Sequence, residues 1–449
     1  MSKATRTSVA LIALVGALSI GAIVQAGGAF RQSAVGGVSI DAVGVVRTAD
    51  PGVRAKYLAE IRKTFGKVPA GAAAPVEIRK ISLKRLHEAV AAHIKSGGAG
   101  HLPDEVRYLA GLQRIEFVLV YPEQNDIVIA GPAEGWRLDD AGNVVGLTTG
   151  RPVLHLDDLL VALRSVHSAR TEGITCSIDP TAEGYRKLNT LLESQRAQPG
   201  PRNLVALERA MKTAFGPQQI TVTGVPSTSH YARVLVAADY RMKRLAMKLE
   251  PSPVKGLPSY LDLAKRQGAS SNPRWWLACD YEPIARSEDG LAFEIRGSGV
   301  KAFTEDEFVD DGKAKGTGKT SPAAQQWADT FSEKYEELST AEVIFGELRN
   351  IMDVSVVAAL IEHHRLADKA GLSVPLFYEQ QSDLAVQSWN APKTVAPQCS
   401  FLKTRKGWMV TASGGVQVES WQVASKTEVA PMADVHQSAT PAGKSWWWN

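Results

Sequence analysis

The chain has few of the residues and patterns that name a chemistry. Only three cysteines occur in its 449 residues, Cys176, Cys279 and Cys399. They lie far apart, with no C-x-x-C and no zinc-type spacing. The runs around them, GITCSI, WWLACD and PQCSFL, read as strands carrying small buried thiols. One bridge plus one free thiol is the alternative for an exported chain. H-E-x-x-H is absent, which removes one class of zinc protease. G-x-S-x-G is absent, which removes support for a serine hydrolase built on that elbow. Charge of one sign is also lacking. The formal net charge of +4 offers no footprint for nucleic acid or an anionic membrane. Beyond the first 26 residues no segment is apolar enough to span a bilayer.

What is present is ordinary globular material. The chain is 44% hydrophobic and 22% charged, so a sizeable core is available without disulfide staples. Its start differs from the rest. Lys3 and Arg6 precede the uncharged run VALIALVGALSIGAIV (9–24), and VQA then places small residues at a cleavage point after Ala26. That order is a secretory signal peptide. A retained anchor is the competing reading, but 16 apolar residues fall short of the roughly 20 a spanning helix prefers. Cleavage removes both cations and takes the formal charge from +4 to +2.

The stretch GKAKGTGKT (312–320) ends like a phosphate-binding loop. The pattern G-x-x-x-x-G-K-[ST] needs glycine at 313, where Lys313 stands. TEDEFVDD upstream is acidic rather than a buried apolar strand. Downstream, Ser321-Pro322 caps a helix that begins after the motif, because the residue before proline is pushed out of the helical region. The stretch therefore reads as a flexible cationic linker, with no nucleotide and no other cofactor expected.

Other candidates are weak. His87 and His93 share one helix but point about 120° apart, so they cannot chelate one ion. His167 reads as a hydrogen-bonded core histidine, and His363 and His364 as cations at a helix end. Asp157 and Asp158 open a helix, where acids are favoured for structural reasons. Asp239, Tyr240 and Arg241 follow YARVLVAA (231–238), read as an apolar strand, and strand ends are places where sites are built. These three are the weak catalytic candidates, against a cap and a surface cation as the bland reading. No metal ligand set is expected.

Helical stripes occur at 50–66, 82–98, 156–167 and 179–194, and a helical pair at 321–370. Strand runs occur at 115–121 and 127–131 around the turn PEQND, again near 274–304, and in a hairpin unit at 394–422 that packs on the body. Helices and strands mix without regular alternation, which predicts an α+β architecture of largely antiparallel sheet with flanking helices. The expected divisions are a signal peptide (1–26), an extended leader (27–48), an α+β region (49–311), the linker (312–320), the helical pair, the hairpin unit, and a flexible tail (423–449). The tail ends in Trp446, Trp447 and Trp448, which suit either a groove on the body or an interface with a partner or membrane.

The stretches FVLVYPEQNDIVIAGPAEGW, GRPVLHLDDLLVALR, CSIDPTAEG, YARVLVAADYRMK and WMVTASGGVQV resemble a family of exported planctomycete proteins known only as a domain of unknown function. The likeness runs over most of 50–420 in the same order. It implies a planctomycete source and export to the periplasm or beyond, and brings no activity, cofactor or catalytic residue. The resulting expectation is a non-catalytic binding or organising protein of the periplasm or cell envelope, its partner an unknown protein or envelope component. A secreted hydrolase with an unrecognised site is the alternative.

Overall fold

Strand Asn272–Asp280 shows how the sequence sets the larger sheet. Trp275 and Leu277 are fully buried, whereas Arg274 and Trp276 between them keep part of their surface, the period-two pattern of a strand with one face on a core. It pairs antiparallel with Gly299–Asp310 and parallel with Gly414–Val418. The computed structural model describes residues 37–50, 55, 58–59, 61–63, 65–98, 101–196, 203–268, 272–310, 313–379, 383–404, 407–411, 414–440 and 447–449. Residues 1–26, read from the sequence as a signal peptide, lie outside them.

Among the described residues the larger sheet has nine strands. In spatial order they are Val38–Ile40, Val45–Thr48, Thr394–Val395, Gln218–Thr223, Ile174–Pro180, Gly414–Val418, Asn272–Asp280, Gly299–Asp310 and Lys313–Gly316. A six-stranded sheet runs Thr427–Val429, Ile284–Arg286, Ala292–Glu294, Phe117–Tyr121, Asp126–Ala133, Val76–Ser82. Most pairs are antiparallel, and helices flank the sheets. The fold is α+β, as the mixed pattern of elements implies.

Four helices organise the core: α1 (Leu156–Glu172), α2 (His230–Ala246), α3 (Pro322–Glu333) and α4 (Val343–His363). Helix α4 is buried from Ile344 to Ile361 on all sides. It packs on α1, α2 and strand Gly299–Asp310. A helix that is mainly apolar on every face belongs inside a protein.

Several sequence expectations give way here. The run 231–238 is the first half of α2, not a strand. It is buried throughout, so it carries no amphipathic period, and an apolar run alone cannot distinguish a strand from a buried helix. Ser229 fixes its start by accepting a hydrogen bond from the Ala232 amide. The region 321–370 holds four helices rather than two, because Tyr335–Ala341 and Leu366–Ala370 flank α4. His167 is exposed on α1, not a core histidine, and faces Glu362 at 3.8 Å.

The linker is not free chain: Lys313–Gly316 pairs with Glu307–Asp310 as the edge of the large sheet. The hairpin unit is divided. Ser400–Thr404 pairs with Gly407–Thr411, but Gly414–Val418 enters the middle of the large sheet. Glycine is needed at that entry. A Cβ at Gly414 would lie 2.1 Å from the Trp275 carbonyl oxygen, and one at Gly415 would lie 2.2 Å from that of Cys176.

The described parts of the tail are built in as well. Thr427–Val429 extends the smaller sheet, and Ala433–Ser438 is helical. Trp446 lies outside the described residues. Trp447 accepts a hydrogen bond from the Ser82 amide at 2.8 Å, Trp448 pairs with Ile81, and the Arg79 guanidinium sits 5.4 Å from the Trp448 ring. Both rings dock on the protein's own sheet edge, where burial of large aromatic surface outweighs their exposure on a leash. All three cysteines are free.

Candidate functional site

The three residues singled out as Asp239, Tyr240 and Arg241 point away from one another, as consecutive positions on a helix must. Asp239 pairs with Lys243 at 3.0 Å, both fully buried. The Tyr240 hydroxyl meets Thr48 Oγ1 at 3.0 Å. Arg241 pairs with Glu342 at 2.6 Å and also with Glu250. Each side chain serves a separate structural contact, so the structure brings no joint site together from them. The histidines at 87 and 93 also stay apart. His87 Nε2 accepts from the Leu376 amide at 3.4 Å, and His93 Nε2 lies 3.0 Å from the His101 carbonyl oxygen.

A different cluster forms where α1 and α2 begin. His155 is the N-cap position of α1, Asp158 stands in its first turn, and His230 is the first residue of α2. The rings of His155 and His230 stack with centroids 4.6 Å apart and planes 21° from parallel. His230 Nδ1 lies 2.9 Å and 3.1 Å from the two carboxylate oxygens of Asp158. Among the described residues, His155, Asp158 and His230 are the group of histidines and acids whose potential ligand atoms all fall within 4.8 Å of one another. Asp158 and His230 are buried, and His155 keeps part of its surface.

The two imidazoles differ in their protons. Burial depresses His155 to about 3, and the neighbouring His230 adds to that effect. Its ring is neutral, with a free lone pair. Burial also works against a charged His230, but the charge and hydrogen bond of Asp158 outweigh it and raise that group to about 9. Glu347, on α4, completes the surroundings. It is 6% exposed, and its Oε2 is buried with no hydrogen-bond partner. Burial pushes its carboxyl up to about 7, tempered by His230.

Aromatic side chains wall the cluster. Tyr108 meets His155 edge-on at 5.4 Å, and Trp389 lies 6.4 Å from His230. The chain just after Tyr108 is strained. Leu109, Ala110 and Gly111 all have positive φ, at 45°, 50° and 79°, a cost that surrounding contacts must offset. Buried Arg79 helps by donating to the Ala110 carbonyl at 2.5 Å. Arg107 is paired with Asp104 at 3.1 Å, and Arg233 lies 4.8 Å from the Trp389 ring centre.

Sequence reasoning placed Asp158 at a helix start for structural reasons and passed over His155, His230 and Glu347. A signal for Glu347 was there: three charged residues, Glu347, Arg349 and Asp353, lie within the apolar run of α4, and charges in a buried helix require partners.

The larger of the two clefts described lies elsewhere. It encloses about 530 Å³ between Arg170, Glu362, His363, Arg365 and Trp421. Arg170 lies 4.9 Å from the Trp421 ring centre, and the Trp421 indole N–H donates to the Val166 carbonyl.

The architecture defines an α+β protein with a buried histidine–carboxylate cluster at the junction of three helices. Residues 176–260 match the family described as protein of unknown function (DUF1598), in accord with the resemblance read from the sequence. The matched stretch contains all of α2 with His230, and leaves His155, Asp158 and Glu347 outside it. No curated protein and no solved structure matches the chain.

Proposed function

We propose that this is an exported protein of the periplasm or cell envelope that binds or organises a partner rather than catalysing a reaction. The observation that supports this most directly is the separation of its concave surface from its buried ionisable groups. An enzyme site joins a pocket to titratable groups whose surroundings perturb them, as burial does. The 530 Å³ cleft is lined by surface groups around Trp421, while buried Asp239, Asp353 and Asp158 are bonded to residues of the core. Arginine stacked on an exposed-edge tryptophan is a common anchor for partner contact. Among the described residues, no helix is long and apolar enough to cross a membrane.

Export rests on the n-region, apolar run and V-Q-A boundary of residues 1–26, and the planctomycete source on the resemblance alone. The mature protein then begins at Gly27. Intact mass of protein from its native host checks this, and a chain retaining residues 1–26 in the membrane fraction overturns it. For binding, Trp421→Ala with Arg170→Ala should abolish co-fractionation with the envelope. Unchanged co-fractionation of the folded variant rejects that surface.

One feature favours the alternative of a secreted hydrolase. Asp158 holds His230 by a carboxylate–imidazole hydrogen bond, the arrangement that orients a general base. Turnover of ester or amide substrates by the wild type, lost in Asp158→Asn, would establish that reading over the first.

A further inference from the structure

We infer that His155, His230 and Asp158 form a binding site for one divalent first-row transition-metal ion, with Glu347 on the adjoining helix α4. Nitrogen and carboxylate donors in a two-histidine, one-acid set suit zinc or iron(II). They do not suit calcium or magnesium, which take oxygen ligands alone, nor copper(I), which prefers sulfur.

Geometry supports the assignment. The donor atoms lie within 4.8 Å of one another. Ligands at about 2.0–2.1 Å in a tetrahedral shell stand roughly 3.4 Å apart, so side-chain rotation closes the remaining gap. His155 sits before the first turn of α1 and His230 at the first position of α2, so the two helix starts bring both rings to one place. His230 and Asp158 already share a proton at 2.9 Å, and an ion would replace that proton. His155 keeps a partly open surface, which gives the ion a way in.

The independent observation is Glu347. Its Oε2 is buried without a hydrogen-bond partner, on helix α4, which packs against both α1 and α2. A buried carboxylate oxygen without a donor is costly. A divalent cation beside it supplies the missing positive charge, and the two carboxylates then balance the ion. Three things oppose a cation here. The helix starts of α1 and α2 carry partial positive charge, and Arg107 and Arg233 are near. Asp157 offsets the first at α1. Arg107 is engaged by Asp104, and Arg233 is stacked on Trp389.

The test uses the purified full-length protein, stripped with a chelator and titrated with Zn²⁺ and with Co²⁺. One equivalent of each should bind, and the thermal midpoint should rise with free Zn²⁺. His155→Ala and His230→Ala should each abolish binding, and Glu347→Gln should weaken it by about 10- to 100-fold. Where an alanine variant does not fold, the Co²⁺ form of the wild type decides, because two imidazole ring N–H signals should be shifted paramagnetically. Binding that survives the double histidine variant, or wild-type protein that takes up neither ion, overturns the assignment. Either result leaves the proposal of export and partner binding standing.

Discussion

Two buried ionic clusters touch α4, and they are satisfied to different degrees. At one, Asp353 accepts two hydrogen bonds from Arg114, at 3.0 Å and 3.1 Å, a third from the Tyr281 hydroxyl at 2.7 Å and a fourth from the Ile115 amide at 3.4 Å. Arg114 spends another N–H on the Gly297 carbonyl. At the other, Asp158 holds His230, His155 stacks alongside, and Glu347 keeps an oxygen without a donor. Both clusters tie distant parts of the chain together. The first has no valence left for a ligand, whereas the second has an acceptor to spare. A saturated buried network specifies a fold, and an unsaturated one marks a place where something else can bind.

The largest effect should come from breaking the saturated cluster. Asp353→Ala leaves the Arg114 guanidinium buried without its partner, which costs about 3–5 kcal/mol. The urea midpoint should fall accordingly. Replacing both members, as Arg114→Met with Asp353→Leu, should recover part of the loss, since two absent charges need no partners, while the Tyr281 hydroxyl and the Ile115 amide still lose their acceptor. A double variant as unstable as the single would show that the cluster contributes more than mutual neutralisation.

A third buried pair falls between the two. Asp239 bonds Lys243 through Oδ2, while its Oδ1 has no hydrogen-bond partner. Burial raises its carboxyl to about 6, against the pull of Lys243, with Asp179 adding to the rise and Arg274 opposing it. The folded state therefore holds this proton more tightly than the unfolded chain, where aspartate titrates near 3.9. The associated stability is fully present below about pH 4 and is lost as pH rises through 6, a fall of up to about 3 kcal/mol. Urea midpoints of the wild type relative to Asp239→Asn, followed from pH 4 to 7, should show that decline. A constant difference across the range would mean that Lys243 satisfies the carboxylate fully.

Much of the frame was legible. Helix α1 was readable because Leu156, Leu159, Leu160 and Leu163 repeat at helical spacing, and Ser82 announced the helix at 83–93, where its hydroxyl accepts from Arg85. The first half of helix α2, 231–238, was not, because complete burial erases the contrast between faces on which periodicity depends. The cluster was illegible for a different reason. His155 in VLHLDD and His230 in STSHYAR each look like an ordinary residue at a helix start, and only the meeting of α1 and α2 makes them neighbours. The dispersal of Asp239, Tyr240 and Arg241 has the same origin: a helix turns consecutive residues apart where a strand end would have left two of them on one rim.

The unsaturated cluster offers a smaller effect of opposite sign to Asp353→Ala. Glu347→Met replaces the carboxylate with a side chain of similar length that needs no donor. In metal-stripped protein it should raise stability by about 1 kcal/mol, since removal of an unsatisfied buried acceptor relieves its desolvation. A loss of stability would place Glu347 among the saturated groups and remove the contrast between the clusters.

The smallest effect tests the same principle at the surface. In a phosphate-binding loop, backbone amides are aimed at an anion that arrives from solution. In GKAKGTGKT the anion is part of the chain. The Gly318 amide donates to the Glu305 carboxylate at 2.6 Å, and a Cβ on Gly316 would lie 2.5 Å from the same oxygens. The Asp306 amide donates to the Lys319 carbonyl and the Thr320 hydroxyl to that of Thr304, so the turn is closed on its own sheet edge. The Lys319 side chain stands exposed. Lys319→Ala should therefore shift stability by no more than about 0.5 kcal/mol. Calorimetric titration of the wild type with ATP and Mg²⁺ should register no binding, because Glu305 holds the seat that a phosphate would need. Micromolar ATP affinity lost in Lys319→Ala would show that the carboxylate yields its place, and that this loop belongs with the unsaturated cluster.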